Sequence, residues 1–572
     1  MIFLKSPLIL DIETDGLNAT KIWCCSTNLF GTVYSEEEFK EKLLQQDIKN
    51  VVAHNGIGFD FPVMQKLWNV DWSKYKLYDT LVLSRLANPS REKGHSLKQW
   101  GEALGFPKGE HDDWSSLSCE MVKYCEKDVA VTERVLKQLT TELAGFSDES
   151  IDLEHDVQRI IQQQISNGWL IDQRHANLLL AELKEKLYEL EETVQQVFLP
   201  LPTFIREIVP KIKKDGEISA VGLKFLGDSW TNVGGMFSRV DYIPFNLGSR
   251  QQIGRYLQHF GWKPKNFTEK GHAIVDESTL ENVEGIPEAK LIAEYIMIQK
   301  RIAQVQSWLD AVQEDGRVHG YVNANGAVTG RMTHSSPNMA QVPAVYSPYG
   351  TECRSCWIVP KDYKVVGMDA SGLELRMLAH YMNDEDYTNE IINGDIHTAN
   401  QQLAGLESRN QAKTFIYALL YGAGDEKLGS VAGGGRRTGE RLRQSFFDNL
   451  PSFANLKNQV TGVVAERDYL KGLDGRKLIV RSEHSALNTL LQGAGAIVMK
   501  QALVLLDDKI KELDAHFVAN VHDEWQIEVR EDQAEQVGQL GVEAIREAGV
   551  VLELNCPLDG EYKIGDDWSE TH

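Results

Sequence analysis

Arg409, Lys413 and Tyr417 stand four residues apart in Arg409-Asn-Gln-Ala-Lys413-Thr-Phe-Ile-Tyr417-Ala-Leu-Leu-Tyr421-Gly422-Ala-Gly424. Only an α-helix turns that spacing into one face, with Tyr421 at its edge. Phe415, Ile416, Leu419 and Leu420 fall behind it, and the glycines that follow stop the helix. An ordinary amphipathic helix sends its cations to solvent, away from its aromatic rings. Here two cations and two rings share a face, as gripping a triphosphate and stacking a base require.

Composition sets the frame for that helix. A chain of 572 residues has material for three or four domains. No apolar run reaches the length of a membrane span, and Met1–Leu10 runs straight into Asp11, unlike a signal peptide. Seven scattered cysteines suit a reducing compartment, and the lone Cys353-x-x-Cys356 pair reads as structural. The expected location is therefore a cytoplasm. A net charge of −23 counts against nucleic-acid binding, since phosphates need cations. Catalytic carboxylates can mask a basic groove in such a sum, and cations do cluster at Lys211-Ile-Lys213-Lys214 and from Arg436-Arg437 to Arg441 and Arg443.

In the first third, Leu8-Ile-Leu-Asp11-Ile-Glu13-Thr-Asp15 reads as a strand that sends Asp11 and Glu13 to one face and Ile12 to the other. Ser35-Glu-Glu-Glu38 opens a helix with a capping box. Val51-Val-Ala-His-Asn55-Gly-Ile-Gly-Phe59-Asp60 is a strand, a glycine turn and a carboxylate leading into a helix. Tyr124 and Asp128 share a helix face further on. Asp79, in Tyr78-Asp79-Thr80, reads as a helix cap or support. Taken singly, each acid could cap a helix or face solvent. Taken together, four acids and a tyrosine from separate elements of an α/β domain can hold two divalent metals and orient a water against a phosphodiester.

Long helices follow from about Ser147 to Val197, broken near Asn167-Gly168. Residues 199–245 lose that period and form a mixed, partly basic, irregular segment. Ser249–Phe260 and Pro287–Gln313 are amphipathic again. Two readings fit equally: a helical arm gripping a duplex backbone, and a plain connector.

In the last third, Thr329-Gly330-Arg331 presents an arginine from a turn-rich loop. Val365-Val-Gly-Met368-Asp369-Ala-Ser-Gly-Leu-Glu374-Leu-Arg376 is a buried strand, a carboxylate and a helix start. Gly433-Gly-Gly-Arg436-Arg437 lacks the Lys-Ser/Thr of a P-loop. Phe517 to Val529 is a hairpin with His522-Asp523-Glu524 at its tip. Asp369 or Asp523 alone could be a cap or a polar turn. Asp369, Asp523, Lys413 with Arg409, and Tyr417 are jointly the parts that nucleotidyl transfer needs.

These motifs resemble those of a known family. Asp369-x-x-x-x-Glu374-Leu-Arg376, the Arg409-to-Gly422 stretch and His522-Asp523-Glu524 look like motifs A, B and C of family A (DNA polymerase I-type) DNA polymerases. Thr329-Gly330-Arg331 matches a fourth. Asp11-x-Glu13, Asn55-x-x-x-Phe59-Asp60 and Tyr124-x-x-x-Asp128 resemble the DEDDy 3′–5′ exonucleases. Phrases such as Gly-Asp-Ile-His-Thr and Gly-Leu-Asp-Gly-Arg-Lys are most similar to replicative polymerases of short-tailed bacteriophages.

The resemblance implies an RNase H-like exonuclease domain at 1–145 and a thumb with helical connector at 146–320. Palm is expected at 321–400 and 481–572, and fingers at 401–480. Asp369, Asp523 and the Ala370 carbonyl would hold Mg²⁺ ions, two per site with Mn²⁺ as a substitute, and Glu524 would join them in catalysis. Arg409, Lys413 and His397 would contact the triphosphate. Tyr417 would stack on the nucleotide and ease acceptance of dideoxynucleotides. Glu374, beside Tyr421, would exclude a ribose 2′-hydroxyl. Arg331, Asn488, Gln492 and His522 would read the minor groove of a primer-template, where every base pair presents an acceptor. Asp11, Glu13, Asp60 and Asp128 would be metal ligands, with Tyr124 placing the water.

The implied activity is replication of phage DNA by a monomer in a bacterial host's cytoplasm, alongside a helicase or single-strand-binding protein. The segment 199–245 is too short for the whole thumb insertion with which well-known phage relatives bind host thioredoxin, which counts against that partner and leaves a different clamp or none. Two other readings give way to this one. A nuclease with a degenerate binding module would not keep Asp369, Asp523 and Lys413 together. An RNA polymerase would not need Glu374 beside Tyr421.

Overall fold

The alternation of β1 (Leu8–Thr14) builds the first domain. Leu8, Leu10 and Ile12 enter one core with Phe39, Phe61 and Trp72. Ile9 enters a second with Val131, Val135 and Leu139. Asp11 and Glu13 continue the row begun by Ile9, as the two-residue period of a strand demands. In this computed structural model, which describes residues 6–209, 211–217, 236–264, 266–281 and 283–571, β1 is the middle of five strands. The order is β3 (Gly31–Val33), β2 (Ile22–Thr27), β1, β4 (Asn50–Ala53), β5 (Lys76–Asp79). β1 runs antiparallel to β2 and parallel to β4. Helix Cys119–Glu142 packs on β1 and β2. At the Glu36–Leu44 helix, Ser35 caps the Glu38 amide, but Glu38 reaches back to the Tyr34 N–H rather than to that of Ser35. The expected capping box is thus half made.

Helix Asp148–Asn167 ends at Gly168, whose φ of 62° suits glycine. Its Leu153, Val157, Ile160 and Ile161 pack into the same core as Val366, Met368 and Trp525. The expected 146–320 segment therefore divides. Gln173–Asp310 is a compact unit of its own, while 146–172 belongs with the remainder. Within that unit, helices Gln173–Val197 and Glu288–Asp310 pack together, and Phe198, Phe245, Tyr256 and Phe260 stack nearby. The segment read as irregular contains a two-stranded antiparallel ribbon, Leu201–Ile208 with Phe237–Ile243. Exposed Phe204, Val240 and Tyr242 lie along it. Both strands carry the β-branched and aromatic residues that favour extension, interrupted by charges that hide the alternation. Pro210 and Gly234-Gly235 lie outside the described residues.

A second sheet dominates the C-terminal part. Its order is Ala515–Val521, Glu524–Arg530, Tyr363–Ala370, Gly560–Gly565, antiparallel throughout. Helix Ala534–Val551 lies on it so closely that a Cβ at Gly541 would fall 2.0 Å from Met368 Sδ. Between Asp369 and Asp523 the chain is mostly helical, including Ile396–Ala404, Arg409–Leu420 and Arg436–Asn449. By length and composition Glu483–Ile510 could cross a membrane, contrary to the sequence expectation. However, 78% of its apolar window is buried inside the protein, which makes it a core helix.

Candidate functional site

Two carboxylate centres form, one on each sheet. At the first, Asp11 and Glu13 project from β1, and their carboxylates lie within 4.8 Å of each other and of the Cys125 thiol. Asp60 opens its helix, and its Oδ1 accepts the Ile12 N–H at 3.2 Å. Asp128 comes from the Cys119–Glu142 helix one turn after Tyr124. Asp79 takes the support role: it caps the following helix and accepts the Asn55 and Ile57 amides.

Burial and mutual repulsion set the charge state of this centre. Glu13 is pushed up to about 8 by burial and then by Asp128. Asp60 is raised to about 7 by burial, against the pull of the Ile12 amide. Asp11 is raised well above the usual carboxylate range by burial, then by Asp60, Asp128 and Glu13. Asp128 is raised by burial, with Lys108 opposing. Asp128 Oδ1 is buried without a hydrogen-bond partner among the described residues. Hard oxygen donors, excess negative charge and an orphaned buried oxygen together fit divalent cations.

Sequence reading missed Lys108 and Cys125. The Lys108 ammonium lies 2.7 Å from Asp128 Oδ2 and 4.6 Å from the centre of the Tyr124 ring. No spacing signal could have found it, because it sits in an irregular loop.

At the second centre, Asp369 ends the Tyr363–Ala370 strand, exposed, and Asp523 occupies the turn of the adjacent hairpin. The Ala370 N–H donates to the Asp523 carbonyl at 3.2 Å, which binds the two strand ends together. His522 holds a φ of 57° at that turn and is exposed. Glu374 is the hub. It accepts the Tyr421 hydroxyl at 3.0 and 2.8 Å on its two oxygens and lies 3.3 Å from Arg331 Nη2. Arg331 in turn stands 3.8 Å from Asp523 Oδ1. The Tyr417 ring lies 6.3 Å from that of Tyr421, and its hydroxyl is raised by burial, then by Glu374 and Asp523.

The Arg409–Leu420 helix forms as read, with Ser408 and Gln411 making a reciprocal cap. Lys413 is exposed and makes no ion pair among the described residues. Arg409 does: its Nε lies 2.7 Å from Asp395 Oδ2, a partner the sequence did not suggest. Asp395 also caps the helix that starts at Ile396, and so positions His397. His397 is held below its ordinary range by burial and then by Arg409 and Lys413, and its ring lies 6.4 Å from that of Tyr417. From Ala486 to Lys500 every residue is buried except Asn488 and Gln492, which share a face. One turn beyond, Ala496 and Met499 line a cavity of about 20 Å³ with Gly330, Arg331, His522 and Asp523.

Glu524, expected to join in catalysis, is turned inward. It is 8% exposed, and its Oε1 accepts the Trp568 indole N–H at 2.9 Å and the Gln526 amide, with Arg354 at 3.8 Å. These contacts brace the end of the sheet. Behind the site, Glu154, Arg476 and Lys500 form a buried ion cluster in which Glu154 Oε1 accepts from both cations.

Paired carboxylates at adjacent strand ends, faced by a cationic and aromatic helix, define a nucleotide polymerase with a second carboxylate centre on its N-terminal sheet. The chain belongs to DNA polymerase family A, whose model matches residues 234–570. It is 35% identical to the DNA-directed DNA polymerase of Enterobacteria phage T3, covering 99% of this chain and 100% of the relative. With that of Escherichia phage T7 it is 34% identical, with 99% and 100% covered. The T3 alignment runs over 709 positions against 572 residues here, so that relative has segments with no counterpart in this chain. In fold the chain is similar to the solved POL domain of Pol1 from M. smegmatis in complex with DNA primer-template and dNTP. The TM-score is 0.77 at 18% identity, over 99% of this chain and 95% of that one.

Proposed function

We propose that this chain, a DNA-directed DNA polymerase of family A, extends primers at the Asp369–Asp523 centre and removes 3′ nucleotides at the Asp11–Glu13–Asp60–Asp128 centre. One observation carries the first assignment: Glu374, Tyr421, Arg331 and Asp523, from four distant stretches, meet within hydrogen-bond or ion-pair reach. Family A polymerases depend on metal, and the carboxylate oxygens suit Mg²⁺, two per centre, with Mn²⁺ as a substitute. When bound, the cations neutralise phosphate charge and sharpen the attacking oxygen.

The chain's own residues do the rest. Lys413, with Arg409 once it leaves Asp395, takes the triphosphate, and His397 donates beside them. Tyr417 stacks on the nucleotide. Glu374, fixed by the Tyr421 hydroxyl, fills the space a 2′-hydroxyl would need. Arg331, Asn488, Gln492 and His522 read the minor groove of the last base pairs. At the other centre, Tyr124 orients the water that attacks the terminal phosphodiester. Gln173–Asp310 is assigned as thumb. A reducing bacterial cytoplasm and a monomer working with a helicase or single-strand-binding protein complete the proposal.

Primer extension with Mg²⁺ and separate dNTP and NTP pools tests this. Extension with dNTPs, none with NTPs, and shortening from the 3′ end without nucleotides are expected. Shortening under all three conditions would leave only a nuclease.

A further inference from the structure

The Phe106–Ser118 loop has no regular structure, yet it is tied down at both ends. The Phe106 N–H donates to the Gly101 carbonyl at 2.8 Å. Its ring carries two cations, with Lys127 Nζ 3.1 Å and Arg134 Cζ 3.6 Å from the centroid. At the far end, Trp23 Nε1 donates to the Trp114 carbonyl at 3.1 Å. So anchored, the loop wraps Tyr124. The His111 and Trp114 rings each lie 5.8 Å from its ring, and the Lys108 ammonium lies 4.6 Å from its centroid. The same ammonium donates to Asp128 Oδ2 at 2.7 Å, while Asp128 Oδ1 is buried with no hydrogen-bond partner among the described residues, and the Tyr124 hydroxyl also steadies the carboxylate.

We propose that Lys108 is a positioning residue of the nuclease centre: it holds Asp128 by one oxygen so that the other faces the cation site, and it holds the Tyr124 ring so that its hydroxyl can orient the attacking water. This rests on reading that centre as a nuclease. Two carboxylate oxygens have separate duties, one toward the lysine and one toward the metal. The lysine's charge also opposes the dication it helps to place. A full positive charge one carboxylate away repels a divalent ion more strongly than fixing one Asp rotamer helps it. Removing the charge should therefore tighten metal binding while slowing hydrolysis. A lysine that served only to stabilise the fold would weaken both together.

The test uses the full chain with Lys108→Met, which keeps the aliphatic stem over the ring, and Lys108→Arg, which keeps the charge. Release of the 3′ nucleotide from a labelled primer is followed in single turnover at saturating Mn²⁺, and Mn²⁺ binding is measured separately by electron paramagnetic resonance. For Lys108→Met the expectation is release slowed by about tenfold or more with Mn²⁺ bound about threefold more tightly. Lys108→Arg should return binding to the wild-type value and recover part of the rate. Release within about twofold of wild type would overturn the proposal, and so would Mn²⁺ binding that weakens in step with the rate. If the wild-type chain itself released nothing, the nuclease reading would have failed first, which the wild-type lane alone reveals.

Discussion

The two carboxylate centres are built on opposite plans. At the N-terminal sheet, Glu13, Asp60 and Asp128 are all nearly inaccessible, crowded, and pushed toward protonation by burial. At the C-terminal sheet, Asp369 is exposed and Asp523 half-exposed, and the groups that would meet a nucleotide are spread over separate helices and loops. The first centre is a compact group of buried carboxylates held by strand and helix. The second is more open, its carboxylates reaching solvent at the strand ends. On the proposed functions, a site that edits any 3′ end would need no completion by its substrate, whereas one that tests each new base pair would gain specificity from being completed by the correct one.

Separating the centres by mutation is the strongest test of that contrast. Asp523→Ala should cut extension by about a thousandfold or more, since the removed ligand supports several kcal/mol of transition-state stabilisation, and should leave 3′ shortening intact. Asp11→Ala with Glu13→Ala should do the reverse in the same gel assay. If either variant lost both activities while still folded, the two plans would not be independent.

Glu154→Ala should break both at once through stability. It leaves Arg476 and Lys500 buried without their shared carboxylate. The expected loss is about 3–5 kcal/mol in denaturant unfolding.

Acidity sharpens the comparison on the first centre alone. Glu13 near 8 and Asp60 near 7 bind protons in the folded chain that the unfolded chain has already released above about pH 4. Their contribution to stability is therefore present at low pH and lost as pH rises toward 8. In chelator, melting should come earlier at about pH 8.5 than at about pH 6, and Mg²⁺ should recover more at the higher pH. Asp11→Ala with Glu13→Ala should flatten that dependence.

The smallest effect belongs to the second centre. Tyr421→Phe removes the hydroxyl that fixes Glu374, about 1.5 kcal/mol of restraint. Discrimination against NTPs should fall by about tenfold in competitive incorporation, with dNTP extension little changed.

The sequence showed most plainly what local periodicity determines. The β1 alternation predicts that Asp11 and Glu13 share a face, and the four-residue spacing places Arg409, Lys413 and Tyr417 together, because each follows from the geometry of one element. What it hid depends on contacts between elements. Lys108 lies in a loop with no period, and only the fold brings it against Asp128 on a distant helix. Arg409 meets Asp395 across a helix junction. Glu524 follows Asp523 directly, yet the strand turns its carboxylate inward to Trp568, a residue 44 positions later that no local pattern connects to it. The ribbon at Leu201–Ile208 escaped because charged residues and prolines blur its alternation.

The most direct measurement is Mn²⁺ binding to the DNA-free chain and to its Asp523→Ala and Asp11→Ala/Glu13→Ala variants. A preassembled nuclease centre predicts that the tightest binding survives Asp523→Ala and disappears from the double variant. Tight binding that disappears with Asp523→Ala and persists in the double variant would reverse the assignment of which centre is built in advance.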